Sequence, residues 1–159
     1  MIPINNQGGF IVKALDVARY FISKSVPGTP ENITNLKLQK ILYYAQGLYL
    51  VHDKKPLFEE RIEAWVHGPV VPEVYHQFKQ YGYNEIKKNP QNSNFSLPNP
   101  EVKKFLDGIW DKYKKYTGKE LENKTHQEEP WLNARGDLPE FISSSNTITQ
   151  EDLLNYFNG

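Results

Sequence analysis

Cysteine is absent from the 159-residue sequence, and so is any excess of one charge. The first absence excludes disulfide bonds, thiolate metal sites and a cysteine nucleophile. The second arises because 19 basic and 19 acidic residues cancel. Proteins that bind duplex nucleic acid usually carry a basic surplus, since neutralising phosphates supplies most of their affinity. Nucleic acid is therefore not the expected partner.

Long hydrophobic runs are also missing. No apolar stretch approaches the roughly 20 residues that span a bilayer, and Met1–Gly9 lacks the charged and apolar segments of a signal peptide. We therefore expect a cytoplasmic protein with no membrane partner. With 38% hydrophobic and 24% charged residues, the composition is that of a globular protein. The length predicts a single domain over residues 1–159.

The sequence has none of the common catalytic signatures. It contains no nucleophile elbow, no phosphate-binding glycine loop and no dinucleotide fingerprint. The histidines at 52, 67, 76 and 126 form no His-Glu-x-x-His pair, and Glu73 with His76 is too little for a metal site. Ser143–Ser145 is interpreted as a turn rather than a nucleophile. We predict no catalytic residue, no metal and no cofactor.

Hydrophobic periodicity predicts a mainly helical fold. An apolar stripe predicts a helix over Phe10–Ser25, and Thr34 is a suitable N-cap for a second helix through Leu36–Val51. Apolar residues point in nearly every direction from the second helix, as expected when other elements surround it. The polar residues of this helix lie either along one solvent-exposed strip or in the interior, where each needs a specific hydrogen-bond partner. These exceptions are Lys37, Gln39, Lys40 and Gln46.

After the central helix the hydrophobic pattern changes to the two-residue alternation of a β-strand. Arg61–His67 alternates, which predicts a short strand that Gly68-Pro69 ends. Further helices are predicted by Pro72, by Asn99-Pro100 and by Thr149, each at the start of an apolar stripe. The predicted fold is mainly α, a compact single helical domain around a buried central helix, with a short β-strand or hairpin near residues 57–67. The remaining boundaries are a helix end at Gly82, a loop over Lys87–Asn99, a helix end at Gly118, and short helical pieces over Lys119–His126 and Pro130–Arg135.

Two corners restrict the backbone. His67–Pro72 holds two prolines and a glycine, and Thr125–Trp131 joins two helical pieces with a tryptophan. Each corner is either a rigid platform that presents side chains to a partner or a plain structural turn. Aromatic residues make up 13% of the chain, and tyrosine and tryptophan are favoured at protein interfaces as well as in cores.

These segments together resemble the Panacea-domain family, the SocA-type antitoxins also called phage-associated GepA-like proteins. The resemblance depends on Leu-Lys-Leu-Gln-Lys-Ile-Leu-Tyr-Tyr-Ala-Gln-Gly at 36–47 and on Gly-Pro-Val-Val-Pro at 68–72, and extends over about Phe10–Phe157. His67 departs from the tyrosine common in the family. Glu128-Glu129 precede Pro130 where one acid is usual.

The resemblance implies an antitoxin that neutralises a cognate toxin, encoded nearby, by direct protein–protein binding. It also implies a role as a proteolytic adaptor, with a protease or its unfoldase as a second partner. No family catalytic residues carry over, and a homo-oligomer is left open. The expected partner-binding residues are the positions that match the family and whose side chains carry polar groups. They are Gln39, Lys40, Tyr43, Tyr44, His67, Tyr75, His126 and Trp131.

Two alternative functions remain at this point. A small hydrolase-type enzyme would use His67 and His126 as acid and base, with Glu63 or Glu129 orienting one of them. A DNA-binding regulator would need a basic face, and only Lys103–Lys119 offers one.

Overall fold

The computed structural model describes residues 12–159, so Phe10 and Ile11 of the first predicted helix lie outside the described residues. Helices and three short strands make up this part of the chain, and a 3-10 turn over Lys79–Tyr81 follows the third helix. The bounds are α1 (Ala14–Lys24), α2 (Asn35–Asp53), β1 (Ile62–Trp65), β2 (Gly68–Val70), α3 (Pro72–Phe78), α4 (Pro90–Ser93), α5 (Pro100–Tyr113), α6 (Gly118–Thr125), α7 (Glu129–Arg135), β3 (Thr147–Ile148) and α8 (Gln150–Asn158).

Helix α2 lies at the centre, as the apolar pattern predicts. Thr34 caps it, since its hydroxyl accepts a hydrogen bond from the Lys37 amide at 3.2 Å. The helix packs against α1, α3, α5, α6, α8 and β2. Almost every residue from Asn35 to Gly47 is buried, including all four polar exceptions. The mainly helical prediction is confirmed, and of the two options for these polar residues, burial with partners is the correct one.

The strands form a small antiparallel sheet in the order β2-β1-β3. The prediction that Gly68-Pro69 ends the strand was wrong. The chain turns at Val66-His67, and Gly68–Val70 returns as a second strand, with Gly68 opposite Trp65 and Pro69 opposite Ala64. Gly68 has a φ of +105°, which other residues rarely adopt, so the hairpin begins to return at the glycine. The hairpin therefore covers 62–70 rather than 57–67.

Two other boundaries differ from the sequence prediction. Asn89 caps the one-turn helix α4 inside the predicted loop. Gly118 does not close α5, which already ends at Tyr113, but begins α6. Thr117 and Glu120 form a reciprocal capping box there, which is not among the predicted helix starts. By contrast, Pro72, Pro100 and Thr149 begin helices as predicted.

Within residues 12–159 no helix is both long enough and apolar enough to cross a membrane.

The packing of α8 on α2 gives a first prediction. A Cβ atom on Gly47 would lie 2.2 Å from a ring carbon of Phe157, whereas a Cβ on Gly108 in α5 would meet nothing within 4 Å. Alanine favours a helix over glycine by up to about 1 kcal/mol, so Gly108→Ala should stabilise the protein by roughly that amount. Gly47→Ala should instead destabilise it by about 1–3 kcal/mol, because Phe157 must leave its site. Denaturant unfolding of both variants measures the difference, and a stabilised Gly47→Ala would contradict this packing.

Candidate functional site

A groove of about 960 Å³ lies beside the β-hairpin. The first turns of α2 form its floor, and the hairpin, α3 and the start of α6 form its walls. The loop at Ser143–Ser145, which was interpreted as a turn, lines the remaining edge. Four of the eight predicted site residues line this groove, and they are Gln39, Lys40, His67 and Tyr75.

Gln39 and Lys40 on the floor connect α2 to the hairpin. The Gln39 side-chain oxygen accepts a hydrogen bond from the Val71 amide at 2.9 Å, and its nitrogen donates to Asn35 Oδ1 at 2.9 Å. Lys40 Nζ donates to the Pro69 carbonyl at 3.1 Å. Both residues are at most 1% exposed. Their polar atoms therefore fix the hairpin on α2 and take part in the groove only from beneath.

The amine of Lys40 is unusual because it is completely buried. Burial lowers its pKa from 10.5 to about 7, against the opposing charge of Glu122. The backbone above it leaves no room for a side chain: a Cβ on Gly68 would lie 2.6 Å from Lys40 Cε and 2.9 Å from Thr125 Oγ1. Gly68 is thus required both by its φ and by its closeness to Lys40.

His67 and Glu122 form a hydrogen-bonded pair at the wall of the groove. His67 Nδ1 lies 2.9 Å from Glu122 Oε2, and Lys119 Nζ lies 3.7 Å from Oε1 of the same carboxylate. Burial acts to raise the pKa of Glu122, but the hydrogen bond and charge of His67 and the charge of Lys119 lower it overall. Glu122 therefore stays a carboxylate. The His67 side chain is 70% exposed, so its outer edge faces solvent.

Aromatic side chains make up much of the opposite wall. The rings of Trp65 and Tyr75 meet edge to face with centroids 4.9 Å apart. Tyr83, which follows the 3-10 turn, is 96% exposed. Trp65 Nε1 donates to Glu63 Oε1 at 2.8 Å, and Arg61 Nε contacts the other oxygen of Glu63 at 2.8 Å. The groove thus presents rings beside a carboxylate that is already paired.

Tyr43 and Tyr44 do not line the groove. Their hydroxyls donate to the buried carboxylate of Glu128, at 3.0 Å and 2.9 Å, and Lys124 Nζ lies 3.6 Å from the same group. Burial raises the pKa of Glu128, although these hydrogen bonds oppose the shift. The two tyrosines therefore attach the start of α7 to α2. Tyr43 and Tyr44 would therefore affect binding only indirectly, by holding the start of α7 against α2.

His126 and Trp131 form a separate cluster behind the hairpin. Their rings stack with centroids 4.2 Å apart, and Trp131 Nε1 donates to the Trp65 carbonyl at 2.8 Å. His126 Nδ1 lies 3.6 Å from Glu140. Its ring is absent from the groove lining, so the groove brings no second imidazole to His67. The carboxylates beside the two histidines are Glu122 and Glu140, not the expected Glu63 or Glu129.

Several groove residues were missed by sequence reasoning. Trp65 and Glu63 had a signal, since the strand alternation places both on the same face as His67. The others lie on a turn or on a different helix, and only the fold brings them together. They are Lys79, Tyr83, Lys119 and Glu122.

The basic stretch at Lys103–Lys119 does not form one face. It is divided among α5, the turn that follows it and α6. Lys114 Nζ lies 3.3 Å from Asp111 and 3.9 Å from Glu31, and Lys119 pairs with Glu122. Acidic neighbours thus offset part of the charge that a DNA-binding surface would need. Among residues 12–159, no group of three or more ligating side chains is placed to hold a metal ion.

Comparison with known proteins gives two findings. The model of the family described as antitoxin SocA-like, Panacea domain, matches residues 38–132. Antitoxin SocA of Caulobacter vibrioides (strain NA1000 / CB15N) is 50% identical over 50 residues, which are 31% of this chain and 27% of that protein. The alignment therefore spans about a quarter of the curated relative. No solved structure matches the chain.

The buried amine gives a pH prediction. Because the pKa of Lys40 is about 7 in the folded state and 10.5 ordinarily, the unfolded chain binds more protons between these values. The contribution of Lys40 to the free energy of unfolding should therefore rise with pH above 7, by at most about 1.4 kcal/mol per pH unit. Lys40→Met should remove this slope between pH 7 and 9. The exposed control Lys104→Met should keep it. Urea unfolding followed by tryptophan fluorescence measures both, and equal slopes would show that Lys40 does not lose its proton.

Proposed function

The chain belongs to the antitoxin SocA-like family with a Panacea domain, and from this membership we propose that it is the antitoxin of a toxin–antitoxin system. It neutralises a cognate toxin, encoded nearby, by direct protein–protein binding in the cytoplasm. The observation that carries the proposal is the family match over residues 38–132, since this range includes most of α2, the hairpin, α3 and α6. These elements form most of the groove.

The chemistry of the groove favours binding over catalysis. His67 is engaged by Glu122, and no second imidazole lines the surface. A hydrolase that used His67 and His126 together would need both rings within reach of one substrate. The family is one of non-enzymatic antitoxins, in agreement with this reading.

We assign toxin binding to the groove because its exposed side chains suit a protein interface. Trp65, Tyr75 and Tyr83 offer ring surface, and tyrosine and tryptophan are the residues most enriched at the centres of such interfaces. His67 adds a polar contact beside them. Gln39 and Lys40 hold the groove from below, while Tyr43, Tyr44, His126 and Trp131 support the elements around it.

Delivery of the bound toxin to a protease or its unfoldase is a further step of the proposal. It is supported by the family resemblance alone. If the chain is such an adaptor, the half-life of the toxin in cells should shorten when the chain is expressed. An unchanged half-life together with restored growth would favour neutralisation by binding only.

The main test is co-expression with the product of the adjacent gene. We expect the chain to restore growth to cells that make this toxin and to be recovered with it in a pulldown. Restored growth without association would contradict direct neutralisation, and no restoration would contradict the antitoxin assignment.

A pair of tyrosine variants tests the location of the interface. Tyr83 is in the groove and 96% exposed, whereas Tyr116 is 40% exposed and lies outside it. Tyr83→Ala should weaken toxin affinity by about fivefold or more, as expected for an aromatic residue central to an interface. Tyr116→Ala should change affinity by less than about twofold. Isothermal titration calorimetry measures both, and equal effects would place the interface elsewhere.

A further inference from the structure

The acidic side chains in the groove are already paired from within the chain. Glu63 is 5% exposed and contacts Arg61 and Trp65. Glu122 is also 5% exposed and contacts His67 and Lys119. Both carboxylates are therefore engaged by side chains of this chain and are barely accessible to a ligand in the groove.

The basic side chains of the groove are distributed differently. Lys79 is exposed and forms no ion pair within residues 12–159. The Lys119 side chain is 71% exposed, although its ammonium nitrogen lies 3.7 Å from Glu122 Oε1. The outer edge of His67 is open as well. The charged side chains that a ligand can reach in the groove are therefore Lys79 and Lys119, whereas Glu63 and Glu122 are buried.

The rings of the groove add an apolar contact next to these cations. Tyr83 is 96% exposed, and Trp65 and Tyr75 are half-buried. The groove thus combines aromatic ring surface with exposed basic side chains. Charge complementarity of this type mainly selects the partner and speeds its association.

We propose that the groove binds a short acidic segment of a protein partner, with an aromatic or aliphatic side chain against the rings. Carboxylates of the segment face Lys79 and Lys119, and the apolar side chain rests on Trp65, Tyr75 and Tyr83. The inference rests on the proposed function insofar as the partner is the toxin. It adds the chemistry that the toxin must present.

Single-stranded nucleic acid also combines negative charge with flat rings, yet the groove suits it less. Such ligands follow a continuous basic track, whereas the exposed lysines that line this groove are Lys79 and Lys119 alone among residues 12–159. An acidic peptide needs no continuous track, because its few carboxylates are separated along the chain.

The test uses synthetic probes and the whole chain. A fluorescein-labelled peptide of alternating glutamate and phenylalanine should bind, measured by fluorescence anisotropy at low salt. The same peptide with lysine in place of glutamate should bind at least about tenfold more weakly. Lys79→Glu should weaken binding of the acidic peptide by about fivefold or more. The matched control Lys104→Glu, exposed on α5 and outside the groove, should change it by less than about twofold.

Three results would overturn the inference. One is equal binding of the acidic and lysine peptides, and another is an equal effect of the two charge reversals. The third is tighter binding of an oligothymidylate of matched length, which would assign the groove to nucleic acid. Circular dichroism of both variants confirms that each remains folded.

Competition separates this inference from the antitoxin proposal. If the toxin displaces the acidic peptide, both stand. Peptide binding that the toxin does not displace supports the acidic specificity and places the toxin on another surface. A toxin that binds and is neutralised, while the acidic peptide shows no preference, leaves the antitoxin proposal intact and removes the inference.

Discussion

The structure depends on how the polar side chains of α2 are satisfied inside the core. A buried polar group without a partner costs a few kcal/mol, so each must find one. Lys37 donates to the carbonyls of Pro30 and Lys114. The others bond to the main chain of segments far along the sequence: Gln46 to Leu57 and Phe58, Gln39 to Val71, and Lys40 to Pro69. One helix thus fixes the loops and the hairpin that surround it.

This constraint changes how the shared motif is understood. The glutamine and lysines that distinguish α2 from an ordinary apolar helix act on the fold, and they place the hairpin where His67 and Trp65 can be presented. The more exposed side chains of the groove come from positions outside this motif, such as Tyr83 and Lys79.

Helix starts were the most predictable part of the fold. Thr34, Pro72, Pro100 and Thr149 each act through local chemistry, a hydroxyl that accepts from an amide or a ring that fixes φ, so the sequence reveals them directly. The hairpin was harder. Its second strand contains Gly68 and Pro69, residues that normally break strands, and it is held in place by Lys40 and Gln39 of another element.

The sequence by itself determined that α2 is surrounded on all sides, because its apolar residues leave no free face, and it identified the family through the residues of that helix and the following turn. Only the tertiary structure decided which polar residues are buried with partners inside the chain and which are exposed to solvent. In the sequence, Tyr43 and His67 are both polar side chains at positions that match the family. In the structure, the Tyr43 hydroxyl is buried and donates to Glu128, whereas the His67 side chain is exposed to solvent. The reason is physical: burial and charge pairing depend on neighbours from distant segments, and no local pattern records them.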